Sequence, residues 1–184
     1  MKTAKINIKE ELMADIRAFK APDLAKKILN DNQIAGLIDL CFEKKDLLRS
    51  RAMWVVGHCS DLDYDSIKPY HVKLIGQLKS KNLHNGVIRN TLRLFQNHSV
   101  PKKTESFMLD KCFGYIKSPS EAIAVRAFAM TVAFNTCKPY PELIEELKML
   151  LDHINENETG ASAGLRGRTK NTLKAINKLK LAKQ

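Results

Sequence analysis

The side chains with the clearest chemical potential in this sequence are basic, and they lie in two segments without acidic residues. The chain has 31 Lys and Arg residues against 20 Asp and Glu residues, a formal net charge of +11. Neither 66–104 nor 160–184 contains an acid, and the net charge outside them is −4. Their basic residues are Lys68, Lys73, Lys79, Lys81, Arg89, Arg93, Lys102, Lys103, Arg166, Arg168, Lys170, Lys174, Lys178, Lys180 and Lys183. This segregation favours a polyanionic partner, whose phosphates release counterions when Lys and Arg neutralise them.

The second acid-free segment carries a basic residue at every fourth position. This row consists of Arg166, Lys170, Lys174 and Lys178. Residues four apart share one side of a helix, with a rise of about 6 Å between them. The side expected to pack inward holds Leu165, Thr172, Ile176 and Leu179. Two plainer interpretations stay open: a solvated polar face, or lysines that complement the helix dipole near its C-terminus.

Four arginines recur along the chain, each within a similar apolar segment that is predicted to be helical. They are Arg51, Arg89, Arg126 and Arg168, at intervals of 38, 37 and 42 residues. Cys-Phe and Lys-Pro-Tyr also occur twice, in the same order relative to an arginine. A period of about 35 to 47 residues is typical of stacked helical pairs. We expect these arginines to fasten one repeat to the next rather than to bind a ligand.

Hydrophobic periodicity and helix breakers predict an all-α chain. The predicted helices are 8–20, 22–30, 32–44, 47–60, 66–80, 84–98, 101–117, 120–136, 140–156 and 162–182. Asp31, Asp46 and the Ser118-Pro119-Ser120 turn are predicted N-caps, because their side-chain oxygens can accept an orphan backbone N–H. The first helix is expected to place four apolar residues on one face: Ile8, Leu12, Ile16 and Phe19.

Length and composition predict one globular domain over 1–184. The N-terminus has no apolar core of a signal peptide, and no run of 18 uncharged apolar residues occurs, so we expect a cytoplasmic protein. Cys41, Cys59, Cys112 and Cys137 are too widely spaced for a typical metal site and are expected to be reduced core thiols. We predict no metal and no cofactor.

Residues 118–129 contain Val125-Arg126 followed by Ala129, which resembles the inter-helix turn and the Val-Arg-x-x-Ala opening of HEAT repeats. Asp46 followed by Arg51 is similar to the turn Asp and second-helix Arg of that family. The resemblance covers 31–182 and extends to short bacterial HEAT-like proteins. It implies a right-handed superhelix of about four helical hairpins plus an N-terminal helix pair. It also implies Asp–Arg pairing between neighbouring repeats and a binding surface on the second helices.

Two other types of site were considered. Asp61, Asp63 and Asp65 begin like a calcium loop, but Ser66 replaces its glycine and Val72 replaces its bidentate glutamate, which favours a solvated turn with Asp caps. The chain also resembles HEAT-like bacterial DNA glycosylases that excise alkylated purines. That resemblance implies a catalytic aspartate, one of the same three, near Trp54 and opposite Arg89 and Arg93. Core packing is the favoured role of Trp54.

The sequence thus predicts a non-catalytic binding scaffold. Its basic surface would bind nucleic acid or an acidic protein segment, and an adaptor without a nucleic-acid role or a DNA glycosylase are the alternatives. The predicted polyanion-binding residues are Arg89, Arg93, Lys102, Lys103, Arg166, Lys170, Lys174 and Lys178.

Overall fold

The computed structural model describes residues 5–17, 19–158 and 162–182, and within these ranges the regular structure is entirely helical. The predicted all-α fold class is therefore confirmed. The chain divides into two compact units, Met1–Leu94 and Phe95–Gln184. A right-handed superhelix and a single domain over 1–184 stay predictions.

The first unit consists of helices α1 to α7 and two short 3-10 helices. The α-helices are α1 Ile8–Met13, α2 Ala21–Asn30, α3 Ile34–Leu40, α4 Asp46–Leu62, α5 Tyr64–Ile67, α6 His71–Gly76 and α7 Asn85–Leu94. The 3-10 helices are Lys68–Tyr70 and Gln77–Lys79. Helix α4 is central, because it packs against α1, α2, α3, α5 and α7. It buries Leu48, Met53 and Val55 among them.

In the second unit, four α-helices follow a 3-10 turn at Lys102–Thr104 within the described residues. They are α8 Glu105–Lys117, α9 Ile123–Cys137, α10 Pro141–Asn157 and α11 Ala163–Leu181. Helix α9 contacts the other three and is the most apolar, burying Val125, Met130 and Val132. These four helices form two hairpins, α8–α9 and α10–α11, as the sequence period indicates.

The first predicted helix is too long. Helix α1 ends at Met13, and the Asp15 carboxylate accepts a hydrogen bond from the Arg17 backbone N–H at 2.8 Å, which is a turn rather than a helix. Ile16 is consequently 63% exposed and does not join the apolar face, whereas Phe19 is buried.

The predicted cap at Asp31 is wrong, because Asp31 ends α2 instead of starting α3. Asn32 adopts a left-handed conformation with φ 52°. The backbone N–H of Asn32 donates to the Leu29 carbonyl and that of Gln33 to the Ile28 carbonyl. This is a Schellman motif, in which an asparagine takes the position usually given to glycine.

Two further predicted caps are also wrong. Asp46 is the first residue of α4, whose N-cap is Lys45, and Ala122 is the N-cap of α9, so neither helix has a side-chain cap. Asp46 still places a negative charge in the first turn, where the helix dipole favours it. The single helix predicted at 66–80 is divided into α-helical and 3-10 turns around Pro69, which has no backbone N–H to donate.

The cysteines behave as the sequence predicts. All four are free thiols and buried. Burial raises the pKa of Cys59 to about 12 and that of Cys137 to about 12, and it raises those of Cys41 and Cys112 further. Because the thiolate is the reactive form, these side chains are inert packing groups at neutral pH.

Candidate functional site

Helix α11 packs against the other helices of the second unit through one side. Its first turn is capped by Ser162, whose hydroxyl accepts the Leu165 N–H at 3.2 Å. The buried side contacts α9 and α10 and consists of Leu165, Thr169, Thr172 and Ile176. The threonine hydroxyls donate to carbonyls one turn earlier, so burying them leaves no donor unsatisfied.

The opposite side of α11 carries the predicted basic row. Arg166, Lys170, Lys174 and Lys178 are all exposed. Throughout 5–17, 19–158 and 162–182, no carboxylate lies within ion-pair distance of Lys170, Lys174 or Lys178. Lys180 lies off this row and reaches α10, where it forms an ion pair with Glu145. The row therefore presents three uncompensated ammonium groups about 6 Å apart along the helix axis.

The predicted basic residues of α7 differ in their surroundings. Arg89 is exposed, and within the described ranges its Nε donates only a long hydrogen bond of 3.4 Å to Asn90 Oδ1. Arg93 is half-buried and forms an ion pair with Asp61 at 3.3 Å. It lies directly over Gly57, where a Cβ would be 2.7 Å from its Nη1. Arg93 is thus committed to an intramolecular contact, whereas Arg89 is not.

Lys102 and Lys103 are adjacent but not equivalent. Lys102 forms an ion pair with Glu105 at 2.8 Å and donates a hydrogen bond to the Tyr140 hydroxyl. Hydrogen bonding to Glu105 and then to Tyr140 raises the pKa of Lys102 to about 12. Lys103 is exposed. The structure therefore places Lys102 inside a local polar cluster and leaves Lys103 at the surface.

The first repeat arginine is buried in the first unit. Arg51 is 8% exposed, and its Nη1 donates to the carbonyls of Leu12 and Ala14 at 2.8 and 2.7 Å. Its guanidinium also lies 4.8 Å from the centre of the Phe19 ring. These carbonyls belong to the end of α1, which has no continuing helix to satisfy them. Arg51 therefore joins α4 to the end of α1 rather than to an aspartate.

The third repeat arginine is buried in the second unit. Arg126 is 3% exposed and donates two hydrogen bonds to the Ile116 carbonyl near the end of α8, at 3.2 and 2.9 Å. It also donates two to the Glu158 carboxylate, at 2.7 and 2.6 Å. These bonds lower the pKa of Glu158. Arg126 thus ties α9 to the ends of both α8 and α10. The sequence pattern gave no reason to select Glu158, because it lies 32 residues away beyond a whole helix.

The remaining two repeat arginines make weaker contacts. Arg168 is half-buried, and its Nη1 donates to the Thr131 hydroxyl at 3.0 Å. In α7 the buried polar residue is Asn90 instead of Arg89, and it donates to the Ser50 carbonyl at 2.8 Å. Helices α4 and α7 are close here, since a Cβ on Gly86 would lie 2.2 Å from Ser50 Oγ. Asn90 therefore takes the buried polar position between α4 and α7, and Arg89 is exposed.

The three aspartates considered for catalysis are exposed and have structural partners or solvent around them. Asp61 binds Arg93, and it lies 3.9 Å from His58. Asp63 caps α5 by accepting the Ser66 N–H, and its hydrogen bonds with Ser66 lower its pKa. Trp54 is half-buried and packs edge-on against Phe19, with ring centres 5.5 Å apart. Among the described residues, no group of three or more His, Cys, Asp or Glu side chains could hold a metal ion.

A family sequence profile described as the HEAT repeat domain matches residues 8–176. This chain belongs to the HEAT repeat family, so the resemblance seen in the repeat arginines is confirmed. HEAT repeat domains are in general non-catalytic helical scaffolds and interaction modules. No curated protein and no solved structure matches the chain. None of the described helices is both long enough and apolar enough to cross a bilayer.

Proposed function

We propose that this HEAT repeat domain binds a polyanion, with nucleic acid as the leading class, through the basic row of α11. The observation that carries the proposal is the exposure of Lys170, Lys174 and Lys178 with no described carboxylate nearby. Surface lysines in globular proteins usually lie among acids of opposite charge, and this helix has none over its full length. Arg166 extends the row by one turn, and the phosphates of a nucleic-acid backbone suit such a spacing of cations.

The structure divides the eight predicted binding residues into three groups. Arg93 and Lys102 hold carboxylates of the same unit and would have to release them to bind a partner. Arg89 and Lys103 are exposed, and we propose that they add to the basic surface of their own units. The contribution of α11 is the largest, because its four cations lie on one helix. The helix fixes the distances between them before a partner binds.

Fluorescence anisotropy with a labelled 20-base-pair duplex and a labelled 20-mer single strand tests the proposal. We expect micromolar or tighter binding at 50 mM salt. Four phosphate contacts predict a roughly 100-fold loss of affinity between 50 and 200 mM salt. The variant Lys170→Glu with Lys174→Glu should abolish binding at either salt concentration.

The matched control is Lys44→Glu with Lys45→Glu, which changes the net charge equally at two exposed lysines of the first unit. This control should retain most of the affinity. An equal loss in both variants would mean that net charge alone drives binding, and the proposal would fail. Binding of polyglutamate without binding of DNA would assign the row to an acidic protein segment instead.

A further inference from the structure

The second unit contains an open groove between α8 and α10 that the basic row does not touch. Its volume is about 650 Å³, within the range of ligand-binding sites in proteins. It is lined by Lys102, Glu105, Ser106, Leu109, Asp110, Phe113, Gly114, Lys117, Tyr140, Leu143 and Glu146. The residues from α8 span 105–117, about 18 Å or just over three helical turns. The groove therefore has the length of a short helix rather than of a single side chain.

The floor of the groove is apolar and its two ends are polar. Its apolar lining residues are Leu109 and Phe113, which are buried, and Leu143, which is half-buried. At one end Lys102 pairs with Glu105, and at the other Lys117 pairs with Glu146 at 3.7 Å across the groove. Each of these ends is a neutral pair. A bound partner would therefore contact an apolar strip that lies between two ion pairs.

Asp110 is the exception on this wall. It is exposed, and within the described part of the chain no basic side chain lies at ion-pair distance from it. The two lining lysines are each matched by a glutamate, so the lining has one uncompensated negative charge. In a chain of net charge +11, this wall therefore carries a local negative charge. A carboxylate beside an apolar strip suits a partner that is apolar but carries a basic group.

Gly114 gives a second indication of close approach. It lies in the last turns of α8, and a Cβ built there would meet nothing within 4 Å. A glycine inside a helix costs about 1 kcal/mol relative to alanine, and no neighbouring atom of the described chain requires one here. Its absence of a side chain keeps the α8 backbone accessible from the groove, which is where an occupant would contact it.

We propose that this groove binds an apolar helical segment of a partner protein that carries a basic residue opposite Asp110. Apolar side chains at i, i+3 or i+4 and i+7 of the partner would cover Leu109, Phe113 and Leu143. The basic residue would pair with Asp110. This site lies on the first helices of the two hairpins, and its chemistry is opposite to that of the α11 row. The domain would accordingly bind two different partners, one anionic and one apolar and cationic.

A displayed library of 14-residue peptides, selected against the full-length protein, tests this proposal. The enriched sequences should combine helical apolar spacing with one Lys or Arg. Two synthetic peptides would then be compared by anisotropy: the best sequence, and the same sequence with its basic residue replaced by Glu. We expect the basic peptide to bind the wild type with at least about fivefold higher affinity than the acidic peptide, as for a partly exposed ion pair.

Two substitutions place the binding in the groove. Gly114→Trp should fill it and weaken the basic peptide at least about tenfold, as loss of a central contact does. Gly167→Trp is the matched control, because Gly167 is also an exposed helical glycine with open space around it. Asp110→Lys should reverse the preference so that the acidic peptide binds better. It also decides the question if the tryptophan variant fails to fold, which circular dichroism would reveal.

Several results would overturn the proposal. They are enrichment of no sequence, binding that is indifferent to Gly114→Trp, or an unchanged charge preference in Asp110→Lys. Dimerisation that Gly114→Trp abolishes would assign the groove to a second copy of the chain instead. The groove and the basic row can be tested separately. Adding Asp110→Lys to the variant Lys170→Glu with Lys174→Glu should leave its loss of DNA binding unchanged.

Discussion

Two sets of basic residues in the second unit carry the same charge but differ in burial and in hydrogen-bond partners. Arg126 is buried and fully occupied by the Ile116 carbonyl and the Glu158 carboxylate, whereas Lys170 and its neighbours on α11 extend into solvent. The first unit repeats one side of the comparison, because Arg51 is buried against carbonyls of α1. A net charge of +11 is therefore not one property: part of it fastens helices together, and part is available to a partner.

The residue types follow this division. A guanidinium has five donors in a planar fork and can satisfy two acceptors at once, as Arg126 does with a carbonyl and a carboxylate. An ammonium is strongly hydrated and flexible, which suits a surface that meets the phosphates of varied partners. The comparison implies that removing a buried arginine changes stability, while removing an α11 lysine changes binding.

The largest effect is expected for Arg126→Met. It leaves the Ile116 carbonyl without its donors and Glu158 without its counter-ion, so the free energy of unfolding should fall by about 3 kcal/mol. Urea denaturation followed by circular dichroism measures this. Lys148→Met is the control, because its ion pair with Asp152 lies at the surface and should contribute less than about 0.5 kcal/mol. Equal losses of unfolding free energy in the two variants would show that the buried contacts of Arg126 stabilise the fold no more than a surface ion pair does.

Arg51→Met should destabilise less, by about 2 kcal/mol, since only neutral carbonyls and the Phe19 ring lose their partner. The end of α1 should loosen first. Hydrogen exchange of the α1 amides, together with urea denaturation, would detect this. Arg89→Met serves as the comparison, because this exposed arginine makes one long hydrogen bond to its neighbour Asn90. A larger loss for Arg89→Met than for Arg51→Met would contradict the division.

Acid should weaken the buried arginine contact but not the α11 row. The bonds from Arg126 hold the pKa of Glu158 below its ordinary value of 4.5. The folded state therefore binds this proton less readily than the unfolded state. Its stabilisation is complete above about pH 5 and is lost as the pH falls through the lowered pKa. The difference in unfolding free energy between wild type and Glu158→Gln should be constant from pH 8 to 5 and shrink below. A difference that grows towards low pH would contradict this.

The smallest effect on stability is expected at the basic row. Lys170→Gln with Lys174→Gln removes two exposed charges without a described carboxylate partner, and the unfolding free energy should change by less than about 0.5 kcal/mol. Thermal denaturation is sufficient to check this. Loss of more than about 1 kcal/mol would mean that these lysines contribute to folding, and the comparison between buried and exposed cations would no longer hold.

The periodicity of the sequence predicted the helical hairpins but not the side-chain contacts between them. The helical hairpins followed from the spacing of apolar residues around Val125 and Ile176, which repeat locally along the chain. The partners of the repeat arginines did not follow. Arg51 binds carbonyls of α1 and Arg126 binds Glu158, and backbone acceptors carry no residue type that a sequence could reveal. Asn32 shows the same limit, because its left-handed conformation forms the Schellman motif after α2, and Asp31 is the C-cap of α2 rather than an N-cap of α3.

The candidate sites divide in a similar way. The row on α11 was predictable, because four residues at one spacing on one helix need no tertiary information. The groove between α8 and α10 was not, because Asp110, Gly114 and Tyr140 come together only when two helices separated by α9 pack in the same unit. That Asn90 rather than Arg89 is buried in α7 could likewise be seen only once α4 and α7 were packed together.

The salt dependence of DNA binding by the wild type and by Lys170→Gln with Lys174→Gln tests the central claim most directly. Both proteins would be titrated with the labelled duplex at several salt concentrations between 50 and 200 mM. We predict that the slope of log K against log salt concentration is smaller in magnitude by about two in the variant, close to 0.9 for each lost phosphate contact. An unchanged slope with unchanged affinity would show that the exposed lysines of α11 do not bind the polyanion.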